Sequence, residues 1–117
     1  MDKNNLYNYK ATVTKVVDGD TIDVLIDLGF NVIMKERIRL LGIDAPESRT
    51  KDLAEKEKGL ASTKYLRERL DQCNNEIIIK TQLDKKGKFG RILGIIYDKD
   101  ENLNLEMIAK GHAVQYK

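Results

Sequence analysis

Arg39-Leu40-Leu41-Gly42-Ile43-Asp44-Ala45-Pro46-Glu47 is an apolar run with an arginine at its head and two carboxylates just past its end. Such a run reads as a buried strand that delivers charge to one rim of a small β domain. The apolar middle accounts for folding, whereas the charged ends need another explanation. Pro46 fixes the backbone between Asp44 and Glu47, so a turn can hold both acids near one point without a helix.

Outward from this stretch, strands are expected on both sides. Residues 10–17 alternate loosely, with Ala11, Val13 and Lys15 on one face, and end at Asp18-Gly19. Residues 21–28 place Ile22, Val24, Ile26 and Leu28 on one side, the period of a half-buried strand. A turn at Gly29-Phe30-Asn31 leads into a third strand over 32–41, which completes an antiparallel meander. Seven of the ten residues from 49 to 58 are charged, a pattern that predicts a solvated, mobile loop. From about residue 60, the spacing of Leu60, Ala61, Lys64, Tyr65, Leu66 and Leu70 predicts an amphipathic helix with Glu68 and Arg69 turned outward, stopped by Asn74-Asn75. Strands follow over 76–82 and 91–98, joined by a basic hairpin tip over 84–88, and a short helix over 104–110 ends at Gly111. Five strands with one longer and one short helix suit a partly open Greek-key barrel of the oligonucleotide/oligosaccharide-binding type, a mainly β, α+β fold; a plain α+β sandwich suits the pattern almost as well.

A chain of 117 residues accommodates one domain, expected over 1–117. Charged residues make up 34% and aromatics 6% with no tryptophan, so the core is aliphatic and the surface strongly solvated. A net charge of +2, from 21 basic and 19 acidic residues, is too small to diagnose a nucleic-acid partner, and local arrangement must carry that argument. A single cysteine, Cys73, rules out an internal disulfide. No hydrophobic signal segment opens the chain, so a cytoplasmic location is the default expectation, with a secreted form after leader removal the alternative.

Asp18-Gly19-Asp20-Thr21 alone reads as a tight turn, and so does Asp44-Ala45-Pro46-Glu47. Together they place Asp20, Asp44 and Glu47 at the ends of adjacent expected strands, with Arg39 beside them and Gly90-Arg91 on another strand. Hard oxygen ligands suit Ca²⁺ or Mg²⁺, and arginines suit a phosphate in bidentate geometry. The combination points to a metal-dependent phosphodiesterase. Convergence of three acids would also strain the metal-free fold by like-charge repulsion, so Asp20→Asn is expected to stabilise it.

Asp18-Gly19-Asp20-Thr21, the stretch from Arg39 to Glu47, and Lys88-Phe89-Gly90-Arg91 resemble, in order and approximate spacing, the staphylococcal nuclease family over about residues 10–116. The resemblance implies the oligonucleotide-binding barrel and Ca²⁺-dependent cleavage of DNA and RNA; a monomer is the separate default expectation. The resemblance further implies Asp20, Asp44 and the Ala45 carbonyl as metal ligands, Glu47 as the base acting on water, and Arg39 and Arg91 on the phosphate. Ala45 stands where the family usually has threonine, and Phe89 where it commonly has tyrosine. The basic tip Lys85, Lys86 and Lys88, with Phe89, is a candidate to meet the substrate backbone, and Tyr97 and Tyr116 are candidates to stack on bases, although tyrosine in a strand more often packs. His112 reads as structural. The alternative to catalysis is a nucleic-acid- or protein-binding barrel of the same fold. Three carboxylates beside a polyanion argue against it.

Overall fold

The computed structural model describes residues 7–83 and 92–116. Three antiparallel strands, β1 (Asn8–Asp18), β2 (Thr21–Asp27) and β3 (Ile33–Leu40), form the expected meander. A two-residue strand β4 (Ile43–Asp44) and a long helix α1 (Leu53–Asp71) follow, then β5 (Glu76–Leu83), β6 (Ile92–Asp98), β7 (Glu101–Asn102), a short helix α2 (Leu103–Ala109) and β8 (Val114–Gln115). The sheet runs β3-β2-β1-β5-β6, and β6 then pairs in parallel with β3 through Ile38 and Ile92, Arg39 and Leu93, and Leu40 and Gly94. This pairing closes a five-stranded barrel of the expected type and removes the two open edges.

The alternation of β2 buries Ile22, Val24 and Ile26 at 0–1% exposure, and Ile38, Leu40, Ile79 and Ile96 meet them inside the barrel. Leu66 and Leu70 of α1, with Leu103 and Met107 of α2, cover its end. Burying such aliphatic side chains supplies roughly 1.5–3 kcal/mol each before chain entropy is counted. Among the described residues, no helix is long and apolar enough to cross a membrane.

Three expectations fail, two for local reasons and one for a long-range one. In β1 the register shifts between Val13 and Lys15, so the bulge turns Val16, not Lys15, into the core. The charged segment expected as a loop becomes helical from Leu53, because the Asp52 carboxylate accepts from the Ala54 and Glu55 amides and caps the first turn. Its positions 53–58 are all exposed, so no apolar period marked them. The buried face of α1 is also rotated from the expected one: Gly59, Ser62, Thr63, Leu66, Arg69 and Leu70 are buried, and Leu60 is 52% exposed.

Arg69 turns inward because it has partners there. Its guanidinium reaches Asp98 at 2.9 Å, Glu101 at 2.6 Å and Glu106 at 3.0 Å. The Tyr65 hydroxyl also donates to Glu106, at 2.7 Å. His112 stacks on the Tyr65 ring with centroids 4.6 Å apart, in keeping with its structural reading. Helix α1 is thereby tied to β6, β7 and α2.

Candidate active site

The site lies where the β1–β2 turn, the end of β3 and the segment that follows it come together. Asp20 follows β1 and is only 8% exposed. Its backbone carbonyl accepts from the Leu40 amide at 2.7 Å, which locks the turn to β3. Both carboxylate oxygens are engaged: the Thr21 hydroxyl donates to Oδ1 at 2.9 Å and the Ala45 amide to Oδ2 at 2.9 Å. Asp20 therefore acts as the acceptor that folds the two acidic loops against each other.

Asp44 ends β4 and is half exposed. Antiparallel pairing with Val114 of β8 holds its backbone, and the Tyr116 amide donates to the Gly42 carbonyl at 2.9 Å. The strand before it is pinned from inside by buried Asn104, whose amide donates to the Leu41 carbonyl at 2.9 Å and to that of Gly94 at 3.0 Å.

Arg39 stands between the two acids. Its Nη1 lies 3.5 Å from Asp20 Oδ2 and donates to the Ile43 carbonyl at 2.8 Å, while Nη2 reaches Asp44 Oδ1 at 3.3 Å. The guanidinium carbon sits 5.8 Å from the Tyr116 ring centroid, within cation–π range. One cation thus faces two carboxylates and leaves a negative surplus. Asp20, Asp44 and the Ala45 carbonyl are all hard oxygen donors, a chemistry that fits a divalent cation such as Ca²⁺ or Mg²⁺.

Glu47 is exposed on the loop after β4. Its neighbour Ser48 donates its hydroxyl to Asp18 Oδ1, which ties this loop back to the β1–β2 turn. The expected convergence of three acids is not what forms: among the described residues, no group of three or more acidic, histidine or cysteine side chains lies close enough to hold a metal ion. Asp20 and Asp44 each face Arg39, while Glu47 stands exposed on the loop beyond them.

Arg91, Lys85, Lys86, Lys88 and Phe89 lie outside the described residues. Tyr97 is not brought to the acids. It lines a groove of about 820 Å³ on the outer face of β1, β2 and β5, together with Lys10, Asp27, Cys73 and Ile78, and this groove shares no residue with the acid pair. The contributions of Ser48 and Asn104 have no counterpart in the sequence reading. Their partners are remote in sequence, and no local pattern signals them.

The staphylococcal nuclease homologue family matches residues 37–117. The chain is 33% identical over 114 residues to Endonuclease YhcR of Bacillus subtilis, covering 92% of this chain and 9% of that protein. It is 31% identical to the Thermonuclease of Staphylococcus intermedius over 86% of this chain and 56% of the relative, and 29% identical to the Micrococcal nuclease of Shigella flexneri over 94% and 60%. The chain therefore spans from less than a tenth to about three-fifths of the length of these relatives.

Proposed function

The chain belongs to the staphylococcal nuclease homologue family, and from that premise we propose that it is a Ca²⁺-dependent nuclease that hydrolyses phosphodiester bonds of single-stranded DNA or RNA. The observation that carries this reading is the single Arg39 guanidinium held between Asp20 and Asp44, one cation for two carboxylates at a loop junction. One of the two carboxylate charges is left uncompensated at this junction, and Asp44 is half exposed. The second acid, together with the Ala45 carbonyl, suits a divalent cation, which when bound offsets negative charge on the scissile phosphate.

In this reading Glu47 is the general base. Its exposed position gives its carboxylate access to a water molecule, from which it takes a proton as that water attacks phosphorus; the bond from phosphorus to the leaving sugar oxygen breaks, and that oxygen takes up a proton from solvent. Arg39 stabilises the charge that builds on the non-bridging oxygens, its head steadied by the Ile43 and Leu40 carbonyls. By sequence, Arg91 is assigned the same role on the phosphate, and the basic residues Lys85, Lys86 and Lys88 are assigned to the substrate backbone. A base of this kind contributes about 10² to 10⁴ in rate and an electrostatic donor about 10² to 10³. The protein acts as a monomer.

Incubation of labelled single-stranded DNA and RNA with the protein, in Ca²⁺ and in chelator, tests the proposal. Fragments in Ca²⁺ that vanish in chelator are expected. Intact substrate in both conditions, or full cleavage in excess chelator, contradicts it.

A further inference from the structure

Gly59 lies inside α1, where glycine is the poorest helix former other than proline. The reason for it is on the adjoining loop. A Cβ at position 59 would stand 2.3 Å from the Glu47 carbonyl oxygen, 2.4 Å from its carbonyl carbon and 2.6 Å from the Ser48 amide nitrogen. All three are backbone atoms, so no side-chain rotation relieves the overlap. One turn further on, Ser62 meets the β1–β2 turn: a Cβ at Gly19 would lie 2.8 Å from the Ser62 Cβ and 3.0 Å from that of Ala45.

The helix is the fixed partner in this contact. Leu66 and Leu70 are buried at 1% and 0%, Arg69 is held by three carboxylates, and the Ser62 hydroxyl donates to the His112 carbonyl at 2.6 Å. The loop is held from its other side by Ser48, whose hydroxyl donates to Asp18 Oδ1 at 2.5 Å. An atom added at 59 therefore displaces the Glu47 backbone.

We propose that Gly59 and Ser48 are positioning residues for Glu47: the bare Cα at 59 and the hydroxyl at 48 clamp the backbone that carries the carboxylate, and neither touches substrate. The inference rests on the nuclease reading and on Glu47 as its base. It predicts an effect on turnover and none on substrate grip, because displacing a reacting group by about 1 Å costs up to about 10² in rate.

The test uses the full chain with Ca²⁺ and a labelled single-stranded DNA oligonucleotide. kcat and KM are measured for the parent, Gly59→Ala, Ser48→Ala, each of these combined with Glu47→Gln, and Leu60→Ala as a control on the exposed side of the same helix. Gly59→Ala should lose about 10- to 100-fold in kcat and Ser48→Ala about 10-fold, with KM within about twofold of the parent. Neither substitution should lower kcat further in the Glu47→Gln background. Either variant, if folded, with parental kcat overturns the proposal, as does an equal loss with and without Glu47. Should Gly59→Ala fail to fold by circular dichroism, Ser48→Ala decides by the same criteria. An inactive parent overturns the nuclease reading and this inference with it, whereas an active parent with unaffected variants overturns the inference alone.

Discussion

The Ala45 amide donates to the Asp20 carboxylate at 2.9 Å, joining two loops that lie twenty-five residues apart. With Thr21 on the other oxygen and Arg39 nearby, Asp20 satisfies donors that would otherwise be left unpaired in a nearly closed site. This reverses the sign expected from repelling acids. Asp20→Asn retains one acceptor oxygen, turns an NH₂ group toward the second donor and removes the charge facing Arg39. It should lower the stability of the metal-free protein by about 1–3 kcal/mol, read as a fall of several degrees in Tm in chelator. A mutant more stable than the parent would restore the repulsion account.

The N-cap at Asp52 gives a second test. Its carboxylate serves the Ala54 and Glu55 amides at 3.0 and 3.3 Å, and it opens a helical segment whose first two turns are exposed. Asp52→Ala should cost about 0.5–2 kcal/mol in urea unfolding. No loss would mean that the segment 53–58 draws nothing from its cap.

Arg69→Met removes a cation that is 9% exposed and leaves Asp98 and Glu106, each about one-fifth exposed, without its charge, Glu106 keeping only the Tyr65 hydroxyl. Breaking a buried pair from one side is expected to cost about 3 kcal/mol or more. Chemical denaturation measures it. A loss below about 1 kcal/mol would show that the three acids rehydrate freely.

Tyr65 sets an alkaline limb. Burial first, and then its hydrogen bond to the Glu106 carboxylate, push its hydroxyl up to about 12 from the usual value near 10. The folded state thus keeps a proton that the unfolded chain releases. Stability from this group is complete below pH 10 and is lost as pH rises from about 10 to about 12. Unfolding free energies should fall across that window in the parent and fall less steeply in Tyr65→Phe. Parallel slopes would remove Tyr65 as the cause.

How far these features could be read from the chain depends on how local their causes are. Strand β2 was legible because Ile22, Val24 and Ile26 alternate with polar residues, and the ends of both helices because Asn74-Asn75 and Gly111 adopt positive φ. The bulge after Val13 was not, since a single extra residue leaves no mark in composition. The inward turn of Arg69 depends on Asp98, Glu101 and Glu106, which lie 29, 32 and 37 residues further on. In the site, Arg39, Asp20 and Asp44 come together as their motifs suggested, because strand pairing brings Thr21 opposite Arg39. The clamp on Glu47 was hidden because Gly59 looks like a helix defect until the loop is seen against it.

In the proposed nuclease, Glu47 acts on water and not on the substrate. Binding and single-turnover cleavage of one labelled single-stranded oligonucleotide, measured side by side for the parent and Glu47→Gln in Ca²⁺, test it most directly. Affinities within a few-fold of each other are expected, with cleavage slower by about 10² or more in the variant. Equal cleavage by the two proteins would contradict it.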